Sequence, residues 1–125
     1  ITNKDSQEIN VQADPDRIHQ VFDNLISNAI RYTDSGEIEI AINRKADRVN
    51  FSIKDTGIGI DNEALERIFE RFYRTLTARS RVRSGTGLGL SIVKHIIEAH
   101  ESNIEVKSVL GKGTTFSFEL NLDHD

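Results

Sequence analysis

The stretch Asp14-Pro15-Asp16-Arg17-Ile18-His19-Gln20-Val21-Phe22-Asp23-Asn24-Leu25-Ile26-Ser27-Asn28-Ala29-Ile30-Arg31 carries the strongest periodic signal in the chain. Ile18, Val21, Phe22, Leu25, Ile26, Ala29 and Ile30 recur at the spacing of one buried helical face. Asp14 reads as the N-cap, and Pro15 takes the first helical position, where a missing N–H costs nothing. Thr33-Asp34-Ser35-Gly36 ends the helix with turn residues.

Beyond that helix the period changes from 3.6 to 2. Ile38, Ile40 and Ile42 alternate with Glu37, Glu39 and Ala41, and Val49, Phe51 and Ile53 repeat the pattern after a polar turn, which predicts two half-buried antiparallel strands. Residues 62 to 72 carry a short helical pattern in Leu65, Ile68, Phe69 and Phe72. From Thr75 to Thr86 no apolar period survives, so this reads as a long mobile loop carrying Arg79, Arg81 and Arg83. A second long helix starts within 87 to 91 and reaches about His100, with Ile92, Val93, Ile96 and Ile97 on its core face. Ile104 and Val106, then Phe116, Phe118, Leu120 and Leu122, predict a hairpin turned by Gly111-Lys112-Gly113, and residues 9 to 13 are a candidate edge strand. The expected fold is α+β: a two-layer sandwich with a mixed, mostly antiparallel sheet of about five strands and about three helices on one face.

The 125 residues include one Pro and no Cys, with 37% hydrophobic and 29% charged residues, the balance of one soluble domain able to bury a core without disulfides. Lacking Cys, the chain has no disulfide framework, no thiolate zinc site and no Cys nucleophile. A net charge of −4 argues against coating nucleic acid or anionic lipid. No apolar run is long enough to span a membrane, so no direct membrane contact is expected of this segment.

Seven of eight glycines fall in three clusters, Gly57/Gly59, Gly85/Gly87/Gly89 and Gly111/Gly113. A glycine loop opening a helix presents free N–H groups to an anion, and such glycines equally serve turns and helix–sheet contacts. The Walker pattern is missing, because Gly follows Lys112 and Val106 stands where the first Gly belongs; the Rossmann spacing is missing as well. Asn24, Asn28 and Arg31 form a polar line beside the apolar helix face. Two interior asparagines one turn apart are poor helix formers, so they read either as solvated amides or as hard oxygen ligands for Mg²⁺. Asp55 ends an apolar strand before Gly57, either as a turn former or as an acceptor at the mouth of the sheet. There its carboxylate would take the exocyclic amine of adenine and oppose the O6 of guanine. The four histidines form no recognisable site, and Glu66, Glu70, Arg71 and Arg74 read as helix-surface charges, with Arg74 within reach of a phosphate.

Taken in order, Asn24-x-x-x-Asn28, Asp55-x-Gly57-x-Gly59, Phe69-x-x-Phe72-Tyr73-Arg74, Gly85-Thr86-Gly87-Leu88-Gly89-Leu90 and Gly111-x-Gly113-Thr114-Thr115 resemble the catalytic ATP-binding domain of sensor histidine kinases, in the GHKL (Bergerat-fold) superfamily. The resemblance covers roughly residues 8 to 122. It implies ATP and Mg²⁺ as cofactors, with Asn28 as metal ligand, Asn24 in support, Arg31 on phosphate and Tyr32 flanking the nucleotide. It assigns Asp55 to the adenine amine, with Gly57, Gly59 and Ile60 shaping that pocket. Phe69 and Phe72 match the F box, with Tyr73 and Arg74 at the base of an ATP lid at about 75–86. Gly85, Thr86, Gly87, Leu88, Gly89 and Leu90 would close on the phosphates, and Thr114 with Thr115 would lie near adenine. Arg31 stands where many members have Lys, keeping the charge with different hydrogen-bond geometry.

The hydrolytic members, such as type II topoisomerase and mismatch-repair subunits, carry a water-activating glutamate at the position of Asn24. An amide cannot act as that base, so the resemblance implies phosphoryl transfer to a protein histidine. The acceptor would lie on a separate dimerisation domain, and neither His19 nor His95 matches its motif. Residues 1–125 are accordingly expected to be one domain, monomeric alone and cut from a longer cytoplasm-facing kinase in a bacterial membrane that signals to a response regulator. The rival readings are an anti-sigma-type serine-kinase regulator on the same fold and a nucleotide-binding scaffold without catalysis.

Overall fold

A computed structural model describes residues 11–33, 36–70 and 89–122. Helix α1 (Pro15–Arg31) begins where the sequence places it: the Asp14 side chain accepts from the N–H groups of Asp16 and Arg17 at 3.1 and 3.4 Å. Ile18, Val21, Leu25 and Ala29 are buried along one face. Ile30, expected on that face, is 62% exposed. Each i+4 step advances about 40° round a helix, so the series from Phe22 through Ile26 to Ile30 turns off the core by its third member.

Strands β1 (Ile38–Lys45), β2 (Arg48–Asp55), β3 (Glu105–Val109) and β4 (Gly113–Asn121) form one sheet in the order β1-β2-β4-β3. Every ladder among them is antiparallel. The candidate edge strand is a single bridge among the described residues: Val11 pairs with Leu122, and Gln12 N–H reaches Asn121 O at 2.9 Å where β3 no longer covers β4. Residues 9 and 10 lie outside the described residues.

The register aligns inward-pointing residues in cross-strand rows, because side chains alternate between faces. Ile42, Phe51 and Phe118 form one row; Ile40, Ile53, Phe116 and Val106 form the next. Phe51 stacks on Phe118 with centroids 5.3 Å apart, and Phe22 of α1 meets both rings at 5.6 and 5.7 Å. The final row is Ile38, Asp55, Thr114 and Ser108, so the core face turns polar at one end of the sheet.

Of the pattern over 62–72, the described residues 62–70 form the short helix α2 (Asn62–Leu65), capped by Asp61. Tight i+3 turns follow, Arg67 N–H to Ala64 O and Glu70 N–H to Arg67 O, which still turn Ile68 into the core. Helix α3 (Gly89–Ala99) buries Val93, Ile96 and Ile97, as the spacing predicts. It ends in a Schellman motif: Glu101 adopts φ +60°, Ser102 N–H returns to Ile97 O, and Glu101 N–H returns to Glu98 O. His100 ties this end to α1, accepting Asp14 N–H at Nε2 (3.1 Å) and donating from Nδ1 to Ile96 O (2.8 Å).

Leu25→Ala should lower unfolding free energy by about 2–5 kcal/mol, the cost of a cavity at a closed position, whereas Ile30→Ala should change it by less than about 0.5 kcal/mol. Urea unfolding of both variants checks the assignment.

Candidate functional site

At the polar end of the sheet, β2 delivers Asp55 into a buried position, 7% exposed. Its Oδ1 accepts Gly57 N–H at 2.9 Å, and Thr114 N–H of the adjoining strand is a second backbone donor. Burial raises the Asp55 pKa above 3.8, and the two N–H donors act against that rise.

The loop after Asp55 is clamped from two sides. Ile58 N–H bonds the Tyr32 carbonyl at the end of α1 (3.0 Å), and Gly111 N–H in the β3–β4 turn bonds Ile58 O (2.7 Å). A Cβ on Gly57 would stand 2.1 Å from Tyr32 O, and one on Gly59, at φ +74°, would stand 2.2 Å from Val109 O. Both positions therefore demand glycine for close backbone approach as well as for loop shape. Thr33 Oγ1 lies beside Gly57, where it is buried with no hydrogen-bond partner among the described residues.

The structure thus joins Tyr32, Asp55, Gly57, Gly59, Ile60 and Thr114 at one end of the sheet. Asn28 is one turn inside, since its carbonyl accepts Tyr32 N–H at 3.1 Å. At 100° per residue, Asn24, Asn28 and Arg31 occupy an arc of about 60° on the flank of α1 away from Ile30. Asn24 Nδ2 donates to Gly89 O at 3.4 Å, so this flank meets the start of α3.

One expected site residue falls elsewhere. Thr115 pairs with Lys54 and Lys107, so strand alternation carries it to the face opposite Asp55 and Thr114. Leu90 is half-buried against the hydrophobic core. Phe72, Tyr73, Arg74, Gly85, Thr86, Gly87 and Leu88, with the loop at 75–86, lie outside the described residues. Sequence reasoning missed Ser108, whose Oγ accepts Ile60 N–H at 2.7 Å and contacts Gly113 O and Thr114 Oγ1 at 2.9 and 2.8 Å. Its signal was a hydroxyl residue continuing the inward series Ile104, Val106, where an apolar side chain is expected.

The family profile described as "Histidine kinase-, DNA gyrase B-, and HSP90-like ATPase" matches residues 13–124. The chain is similar to the sensor histidine kinase WalK of Bacillus subtilis, with 43% identity over 96% of this chain and 20% of that protein. It is also similar to the sensor protein SrrB of Staphylococcus aureus, with 53% identity over 86% of this chain and 18% of that protein. The chain therefore spans about a fifth of the length of these relatives. Among solved structures, the nucleotide-free catalytic domain of histidine kinase ThkA superposes with a TM-score of 0.80, at 36% identity over 95% of this chain and 76% of that one. Full-length ShkA in complex with AMPPNP gives 0.79, at 34% identity over 92% of this chain and 23% of that one.

The raised pKa of Asp55 has a signed consequence. A carboxyl whose folded pKa exceeds its unfolded value contributes stability that is complete below about pH 3.8 and is lost as pH rises through the folded pKa. The unfolding free energy of wild type minus that of Asp55→Asn should accordingly fall as pH rises through that window, as measured by urea unfolding at successive pH values.

Proposed function

This chain belongs to the histidine kinase-, DNA gyrase B- and HSP90-like ATPase family, and from that premise we propose that it binds Mg²⁺-ATP and transfers the γ-phosphoryl group to a histidine on a separate phosphoacceptor and dimerisation domain. The observation that carries the reading is Asp55: a buried carboxylate, accepting only, at the polar edge of an otherwise apolar face. An adenine amine supplies the donor that this group calls for, while a guanine O6 would oppose it. The Thr33 hydroxyl beside Gly57, without a hydrogen-bond partner among the described residues, supports a polar ligand at the same end.

The donor chemistry suits the metal. Asn28 offers a neutral amide oxygen, and among the described residues no three His, Asp or Glu side chains converge into a metal site. Such a shell suits Mg²⁺ that takes its remaining ligands from phosphate and water. When bound, the ion would neutralise charge on the phosphates as the γ-phosphoryl group departs. Asn28 would hold it, exposed Arg31 would face phosphate, and Tyr32 would flank the nucleotide. Arg74 and the loop from Gly85 to Gly89 complete the phosphate end of the proposal. Asn24 cannot abstract a proton from water, and its bond to Gly89 O suits a residue that holds the start of α3. The reading therefore favours transfer over hydrolysis.

No helix among the described residues is long and apolar enough to cross a membrane. We place this domain in a sensor kinase whose membrane anchor, acceptor domain and response regulator lie beyond residues 1–125.

Calorimetric titration should show ATP binding in preference to GTP, and Asp55→Asn should weaken ATP binding by about 10- to 100-fold with an unchanged circular dichroism spectrum. Equal ATP affinity in the variant would remove Asp55 from base recognition. Asn28→Ala should abolish Mg²⁺-dependent phosphorylation of an acceptor domain supplied in trans, read by radiolabel incorporation; retained transfer would remove it as metal ligand.

A further inference from the structure

Ser108 makes three hydrogen-bond contacts with one proton. Ile60 N–H donates to its Oγ at 2.7 Å. The Gly113 carbonyl, 2.9 Å away, can only accept, so it takes the Ser108 proton. The third contact, to Thr114 Oγ1 at 2.8 Å, still needs a proton, and Thr114 alone has one left to give. Ser108 is then saturated, with two bonds accepted and one donated. Thr114 has its hydroxyl proton directed at Ser108 and presents only lone pairs to anything bound beside it.

Four neighbouring backbone donors are engaged too. Asp55 takes the N–H groups of Gly57 and Thr114, Tyr32 O takes that of Ile58, and Ile58 O takes that of Gly111. Asp55 and Thr114 are register partners facing the same way at the end of the sheet, so with Asp55 ionised this pair offers acceptors and no donor. We infer that Ser108 is a positioning residue for base selection: by holding Thr114 as an acceptor, it excludes purines that carry an oxygen at position 6. This rests on the adenine reading of the Asp55 site. A 6-amino group brings two N–H donors to such a surface, whereas a 6-oxo group sets its lone pairs against lone pairs.

The test is the ratio of affinities for ATP and inosine triphosphate, measured by calorimetry on the 125-residue chain. Wild type should prefer ATP. Ser108→Ala releases the Thr114 hydroxyl to rotate and donate to the 6-oxo group, and should narrow that preference by about tenfold. Ser108→Thr, which keeps the hydroxyl, should retain the wild-type ratio. A merely structural role would weaken both nucleotides alike, so an unchanged ratio in folded Ser108→Ala overturns the inference and leaves the adenine reading intact. No preference in wild type overturns the adenine reading, and the role of Ser108 with it. Should Ser108→Ala fail to fold, Ser108→Cys decides on the same criterion, since its thiol keeps the shape and accepts poorly.

Discussion

The carboxylate of Asp55 sits where the sheet ends and the hydrophobic core begins, and its burial imposes a condition on the chain around it. A charge removed from water must be met by hydrogen bonds, and here they come from the backbone of Gly57 and Thr114, two segments far apart in sequence. Meeting that condition draws the loop after β2 against the start of β4. The loop in turn touches the end of α1 through Tyr32 and the β3–β4 turn through Gly111. The end of α1, the β3–β4 turn and the start of β4 thus gather around Asp55 and the loop that follows it, with glycine required wherever backbone meets backbone most closely.

Helix α1 transmits this arrangement to the rest of the molecule. One face is locked by Val21 and Leu25 into the core, and Phe22 closes on the stacked Phe51 and Phe118 rings. The helix is tied to α3 and its end at two places, the N-cap Asp14 with His100 and, on the polar flank, Asn24 with Gly89. Since Asn28 lies between Asn24 and the Tyr32 contact, its amide is held by a helix fixed on both sides. On the proposed reading, orientation of this kind would serve phosphoryl transfer, in which positioning and charge do most of the catalytic work.

On the adenine reading, selectivity at the base end would arise as much from donors withheld by Asp55 and Thr114 as from acceptors offered. Asp55 can only accept when ionised, and the hydroxyl pair of Ser108 and Thr114 extends the same demand to a neighbouring atom. Such a surface would discriminate through the cost of unmatched lone pairs, which a buried site cannot relieve with water.

The periodic elements were legible in the sequence because each rests on local repetition: the apolar face of α1, the alternation in all four strands and the buried face of α3 follow from side-chain spacing alone. The residue types of the site were legible for a related reason, since glycines, interior asparagines and an aspartate ending an apolar strand are poor choices for local structure and point to another cause. Tertiary structure decided what depends on distance between chain segments. Strand order and register set Asp55 beside Thr114 and turned Thr115 to the opposite face. The third turn of an apolar series left Ile30 exposed. Ser108 joined the site only when β3 lay beside β4, because a hydroxyl's partners are chosen by the fold and no spacing along the chain encodes them.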